Sequence, residues 1–275
     1  MDRGYLWFAL NNSTTDYIEL SRALAKSIKK FNKHNQVCVI TDMPIEDELF
    51  DHVRVLKNDD SKDQEWKLNN EYKAFAMTPF THTIKLEADM LFTQNTDWWW
   101  NYLWQHDQVF SYNCRSYDDK IVEKSSYRKL FHRNTLPNVY NGLHYFRRSL
   151  KAKEFYDFCE TIIKSWKTMK EKVLVNCHDE QPTTDVVYAL ANKLQDPLQL
   201  DKVEYEWFKF MHNKQHINSV GEQFDNDNYL YPMKVADKLY MGGYRQNRIV
   251  HYHNKKLLFF WFLKKYIFEL VYYLF

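Results

Sequence analysis

Apolar blocks and polar blocks trade places along the N-terminal part of the chain. Short apolar, β-branched and aromatic runs at residues 5–10, 36–41, 52–56 and 83–86 read as strands. After the first run comes a polar turn, residues 11–16. Ile18, Leu20, Ala23, Leu24, Ala25, Ile28 and Phe31 then recur at helical spacing, with Asp16 placed to cap the helix. A second helical pattern, 71–77, must stop before Pro79. Further on, the pattern predicts an aromatic helix at 95–104, strands at 108–112 and 138–147, helices at 150–169 and 185–194, and a late strand at 248–253.

Strands alternating with helices over the first ~110 residues imply βαβ units and a mostly parallel sheet flanked by helices, an α/β fold. No internal repeat and no domain boundary interrupts the pattern. Residues 1–255 are therefore expected to form one domain, with 256–275 as an aromatic, basic C-terminal helix. Ligands of such sheets bind beyond the carboxyl ends of the strands. Residues 11–15, Asp42 and the pair Glu87 and Asp89 fall at such ends.

Composition narrows the field. The chain has 275 residues, 45% of them hydrophobic, which is enough to build a core. Its net charge of +2 does not by itself argue for a nucleic-acid partner. Cys38, Cys114, Cys159 and Cys177 are scattered without a CxxC pair, so neither a zinc site nor a disulfide framework is expected and the reading is cytoplasmic. The N-terminus lacks the apolar run of a signal peptide, and no uncharged apolar run is long enough to span a bilayer. Residues 257–275 come nearest but carry Lys264, Lys265 and Glu269; such a tail suits a closing helix or a peripheral membrane contact.

The candidate chemistry starts at Glu87 and Asp89. On an extended chain alternate residues share a side, so the two carboxylates converge and repel. A hard divalent cation with oxygen ligands relieves that repulsion and could also carry a diphosphate. The two acids can equally be solvated or cap the next helix. Trp98, Trp99 and Trp100 cannot share one helix face, so at least one is expected at a surface.

The stretch Ile84-Lys85-Leu86-Glu87-Ala88-Asp89-Met90-Leu91-Phe92 resembles the acid-x-acid strand of nucleotide-sugar glycosyltransferases with the Rossmann-like GT-A fold. The usual form there is Asp-x-Asp between apolar pairs. Here Glu87 stands at the first acid, which lengthens one ligand arm and shifts direct ligation towards Asp89. The resemblance runs in order through residues 5–255. It is nearest to the glycogenin-like and bacterial lipopolysaccharide galactosyltransferase group; the aromatic-rich, glycine-poor style is also similar to phage-encoded transferases.

The resemblance implies a set of roles. Leu10, Asn11 and Asn12 would grip the nucleotide base, and Lys73 and Lys255 would meet the diphosphate. Asn141 and Gly142, in an Asn-x-Gly-like strand, would lie beside the sugar. Glu87, Asp89 and His251 would hold Mn²⁺ or Mg²⁺, with His253 a weaker candidate. Asp179, Glu180 and Gln181, expected to open a helix, or Asp185, would supply an acceptor-side base or a polar group for the transition state. The implied partners are a nucleoside-diphosphate sugar, UDP-linked by preference, and a hydroxyl-bearing acceptor: a glycan, a glycolipid or a hydroxymethylated base in DNA. For DNA, lysines 151, 153, 164, 167, 170 and 172 could face phosphates or form a solvated helix face. A non-catalytic nucleotide- or glycan-binding module and a metal-dependent nucleotidyltransferase are the competing classes.

Overall fold

The computed structural model describes residues 2–121, 128–213, 233–235, 238–241, 243–252 and 255. The expectations for residues 253 and 256–275 lie outside these.

A six-stranded sheet organises the chain. Its strands are β1 (Arg3–Ala9), β2 (Gln36–Thr41), β3 (His52–Val55), β4 (His82–Leu86), β6 (Gln108–Tyr112) and β7 (Val139–Arg147), in the spatial order β3-β2-β1-β4-β7-β6. β3, β2, β1 and β4 run parallel, and β7 runs antiparallel to both β4 and β6. The mixed, mostly parallel α/β architecture expected from the pattern is thus present. A small second sheet joins β5 (Met90–Leu91) and β8 (Phe210–Asn213) to either side of β12 (Ile249–Tyr252). A third contains β9 (Met233–Val235), β10 (Lys238–Met241) and β11 (Tyr244–Arg245).

Both faces of the sheet are covered at its centre, so β1 and β2 are mostly apolar and buried, whereas the edge strand β3 is partly exposed. On β1, Tyr5, Trp7 and Ala9 join one core, whereas Leu6 and the following Leu10 join the other. The first core is closed by α1 (Tyr17–Phe31) through Ile18, Leu24 and Ile28, and by Trp99 and Trp100. Asp16 caps α1 by accepting from the Glu19 amide at 3.0 Å, as its place in the sequence predicts. Trp7 Nε1 donates to Ser21 Oγ at 2.8 Å and ties strand to helix. The second core is closed by α5 (Leu150–Lys164) and α7 (Thr184–Gln195).

Several expected helices are shorter or differently wound. Residues 68–73 form a 3₁₀ turn, followed by a single α-turn, α2 (Ala74–Met77); Thr78 is extended ahead of Pro79. The aromatic helix reduces to a 3₁₀ turn at Asp97–Trp99 and α3 (Trp100–Leu103). Within it Trp98 is 40% exposed while Trp99 and Trp100 are buried, so at least one of the three lies at a surface as expected. A short helix, α4 (Lys129–Asn134), was not legible in the pattern. The long helix breaks at Ser165 and continues as α6 (Trp166–Thr168) and a π turn at Met169–Val173. Residues 178–181 do not open a helix: α7 starts at Thr184 behind Thr183. No helix among the described residues is long and apolar enough to cross a membrane.

Candidate metal and nucleotide site

β1 and β4 end at the same edge of the sheet, and the antiparallel β7 begins there. Three carboxyl-edge features therefore meet: the turn after β1, the acids after β4, and the first residues of β7. The short β5 that follows Asp89 pairs with β12, His251 opposite Met90. Tyr252 also donates its amide to the Asp89 carbonyl at 3.1 Å. These backbone links carry a late strand to the acid pair.

Glu87, Asp89 and His251 converge. One potential ligand atom from each lies within 4.8 Å of the others. His251 Nε2 is 3.2 Å from Asp89 Oδ2 and 3.4 Å from Glu87 Oε2. Asp89 and His251 are buried and Glu87 is partly so. Two carboxylates held this close in a mostly buried place need a positive charge between or beside them. Lys255 provides one, its ammonium contacting Asp89 Oδ2 and the Tyr252 carbonyl at 3.4 Å. Burial pushes Lys255 down to about 8, against the opposing pull of the Glu87 charge. The donor set of two carboxylates and one imidazole suits a hard or borderline divalent cation such as Mn²⁺ or Mg²⁺.

Gly142 makes room for this arrangement. A Cβ there would stand 2.8 Å from Glu87 Oε2 and 2.9 Å from Met90 Cε. Asn141-Gly142 is therefore not a tight turn but part of β7, with the Glu87 carboxylate pressed towards a backbone that has no side chain. The strand departs from regular pairing here. Phe110 of β6 faces His144 and the next residue, Ser111, faces Tyr140, so residues 141–143 have no partner on β6. Freed backbone groups must be satisfied elsewhere. The Asn141 amide donates to Asp185 Oδ1 at 2.9 Å, and its carbonyl accepts from Lys85 Nζ at 3.3 Å. Lys85 is fully buried and also pairs with Glu71, while Asp185 takes a second bond from Arg128 at 2.9 Å. Asn141 Nδ2 is buried and has no hydrogen-bond partner among the described residues.

The other expected residues divide. Leu10 is a core side chain. Asn11 Oδ1 accepts from the Tyr17 and Ile18 amides at 2.7 and 3.2 Å, and Asn12 Oδ1 organises the turn by accepting from the Thr14 and Thr15 amides. Tyr17, whose amide Asn11 holds, links this turn to the acids. Burial and the Glu87 charge both raise the Tyr17 phenol, and Lys255 Nζ lies 6.0 Å from its ring centroid. Lys73 is engaged by the Asn58 carbonyl, by Asn70 Oδ1 at 2.9 Å and by Asp60 at 3.1 Å. Asp179, Glu180 and Gln181 lie exposed in the loop before α7, where Glu180 pairs with Lys170 at 2.9 Å. Lysines 151, 153 and 164 likewise pair with Asp201, Asp157 and Glu160, as a solvated helix face would.

One residue at the site was not singled out from the sequence. His212 on β8 stands in register with His251, Nδ1 to Nδ1 at 2.9 Å. The sequence signal was slight: a histidine at the end of a short, mostly apolar stretch, Phe208-Lys209-Phe210-Met211-His212.

No family model matches the chain, and no curated protein matches it. Among solved structures, the chain is similar to the crystal structure of the glycosyltransferase GlyE in Streptococcus pneumoniae TIGR4, at 14% identity and a TM-score of 0.42. The likeness covers 74% of this chain and 46% of that one, so this chain spans less than half of that protein's length.

Proposed function

We propose that the chain is a metal-dependent glycosyltransferase of the GT-A kind, transferring a sugar from a nucleoside-diphosphate donor, UDP-linked by preference, to an acceptor hydroxyl on a glycan or glycolipid. One observation carries this reading: Glu87, Asp89 and His251 place their ligand atoms within 4.8 Å at the carboxyl edge of a mostly parallel sheet.

Asp89, Glu87 and His251 would hold Mn²⁺ or Mg²⁺. Bound there, the cation would supply positive charge to a departing diphosphate. Lys255, already at Asp89, adds a second positive charge on the same side. Asn141 presents a buried carboxamide donor to a sugar hydroxyl, and the missing side chain at Gly142 lets the donor approach the strand. Asp185 is spent on the Asn141 amide and on Arg128, so its part is to hold the β7 wall rather than to take a proton. In this reading Asn11 and Asn12 shape the turn that receives the base.

The test needs no acceptor. Purified protein is incubated with a panel of nucleotide sugars and Mn²⁺, and slow hydrolysis is followed as release of nucleoside diphosphate. The expected result is release from one donor class that needs the metal and falls at least about 100-fold in Asp89→Ala, the scale of a few kcal/mol of lost charge stabilisation. Turnover untouched by Asp89→Ala would overturn the proposal. Release of pyrophosphate instead would mark nucleotidyl transfer.

A further inference from the structure

We infer that His212 is a positioning residue that fixes the ring of His251 for metal ligation. The inference rests on the metal reading above and assigns a role to a residue which that reading does not use. It starts from the contact between the two imidazoles, Nδ1 to Nδ1 at 2.9 Å. A nitrogen–nitrogen hydrogen bond contains one proton, so one ring donates and the other accepts. His251 turns its other nitrogen, Nε2, towards Asp89 and Glu87. To ligate through Nε2 a neutral imidazole must carry its proton on Nδ1. His251 Nδ1–H then donates to His212 Nδ1, and His212 carries its own proton on Nε2. Ligating histidines commonly donate their second ring N–H to a carboxylate, a backbone carbonyl or water, which sets both tautomer and ring plane; here a neutral imidazole nitrogen takes that place.

The backbone gives the contact its precision. The two histidines face each other on the parallel pair β8 and β12, with ring centroids 4.8 Å apart and planes 35° apart. Both are buried. The His212 amide is in turn fixed on the Arg115 carbonyl at 2.6 Å. The acceptor is thus built into a strand neighbour and does not depend on a mobile surface side chain.

Mn²⁺ affinity of the full chain, measured by electron paramagnetic resonance, tests the assignment in His212→Phe, His212→Gln and His251→Ala. His212→Phe keeps a ring but removes the acceptor, and a loss of about 10–100-fold in affinity is expected. His212→Gln restores an acceptor oxygen and should recover most of that loss, which a merely space-filling role would not produce. In the Mg²⁺-saturated wild-type protein, nitrogen-15 spectra should show His251 protonated on Nδ1. This readout stands even if His212→Phe fails to fold. Wild-type affinity in a folded His212→Phe, alongside a weakened His251→Ala, would overturn the assignment and leave the metal site intact; so would His251 protonated on Nε2 in the loaded protein. A wild-type chain that binds neither ion, or an unaffected His251→Ala, would remove the metal reading and this assignment together.

Discussion

At Gly142 a single methyl group would contest the space of the Glu87 carboxylate. With a Cβ only 2.8 Å from Oε2 and 2.9 Å from Met90 Cε, Gly142→Ala must move one or both. Overpacking of this kind costs about 1–3 kcal/mol. The expected outcome is a lower melting temperature together with weaker Mn²⁺ binding, measured on the same sample; unchanged Mn²⁺ affinity would detach Gly142 from the site. Lys255→Ala removes the ammonium beside Asp89, and the expected result is a raised KM for the nucleotide sugar in the hydrolysis assay. At this scale the sequence was partly readable. Glu87 and Asp89 could be paired because alternation on an extended chain needs no knowledge of the fold, whereas Gly142 and His251 were singled out only through a resemblance in the order of motifs. His212 could not be found, since its meaning lies in strand register with a residue much later in the chain. Lys73, placed by position in the sequence, has its ammonium at the Asn58 carbonyl, Asn70 Oδ1 and Asp60.

Among the elements, β7 shows how the fold makes a wall out of irregularity. Where residues 141–143 leave β6, Lys85 and Asp185 take the carbonyl and amide of Asn141. Lys85 can be buried in β4 because Glu71, from the preceding 3₁₀ turn, neutralises it, and the Tyr188 ring lies 5.6 Å from its ammonium. Removing one member of such a pair leaves an unmatched buried charge, so Lys85→Met is expected to cost about 3–5 kcal/mol in denaturant unfolding. The double change Glu71→Leu with Lys85→Met should recover much of that stability while leaving the Asn141 carbonyl without its donor. Metal affinity that stays low in the stable double variant would show that Lys85 supports the site as well as the core. Strands were the more legible elements, because burial on both faces at the centre of the sheet leaves mostly apolar, β-branched and aromatic runs such as those of β1 and β2. Helix limits were less so: Ser165 ends α5 although apolar residues recur beyond it, and Trp98 and Trp99 wind as a 3₁₀ turn before α3 begins at Trp100. The two-residue β5 is too short to leave any periodic trace.

Across the whole molecule, charged residues fasten the loops around the small sheet. Glu206 bonds Arg115 and Arg248, while the nearly buried Lys209 reaches both Glu206 and Glu204. Burial alone would raise the Glu204 carboxyl, but hydrogen bonds from Lys202 and Lys209 outweigh it and hold the group down to about 2 from its usual 4.5. A carboxyl lowered in the folded state contributes stability that is complete above pH 4.5 and is lost as the pH falls towards 2. Melting temperatures measured across that window should fall for the wild type and fall less for Lys209→Met, which starts from lower stability. Longer connections meet at the proposed metal site, where a residue after β4 and a residue of the last described strand face each other. A divalent ion gripped by both would act as a rivet between distant stretches of chain, closing a long loop that the denatured ensemble leaves open. Heat resistance would then follow the ion's free concentration, gaining about 2.7 kcal/mol at a hundredfold excess over Kd, and a chelator would take that gain away without breaking a covalent bond.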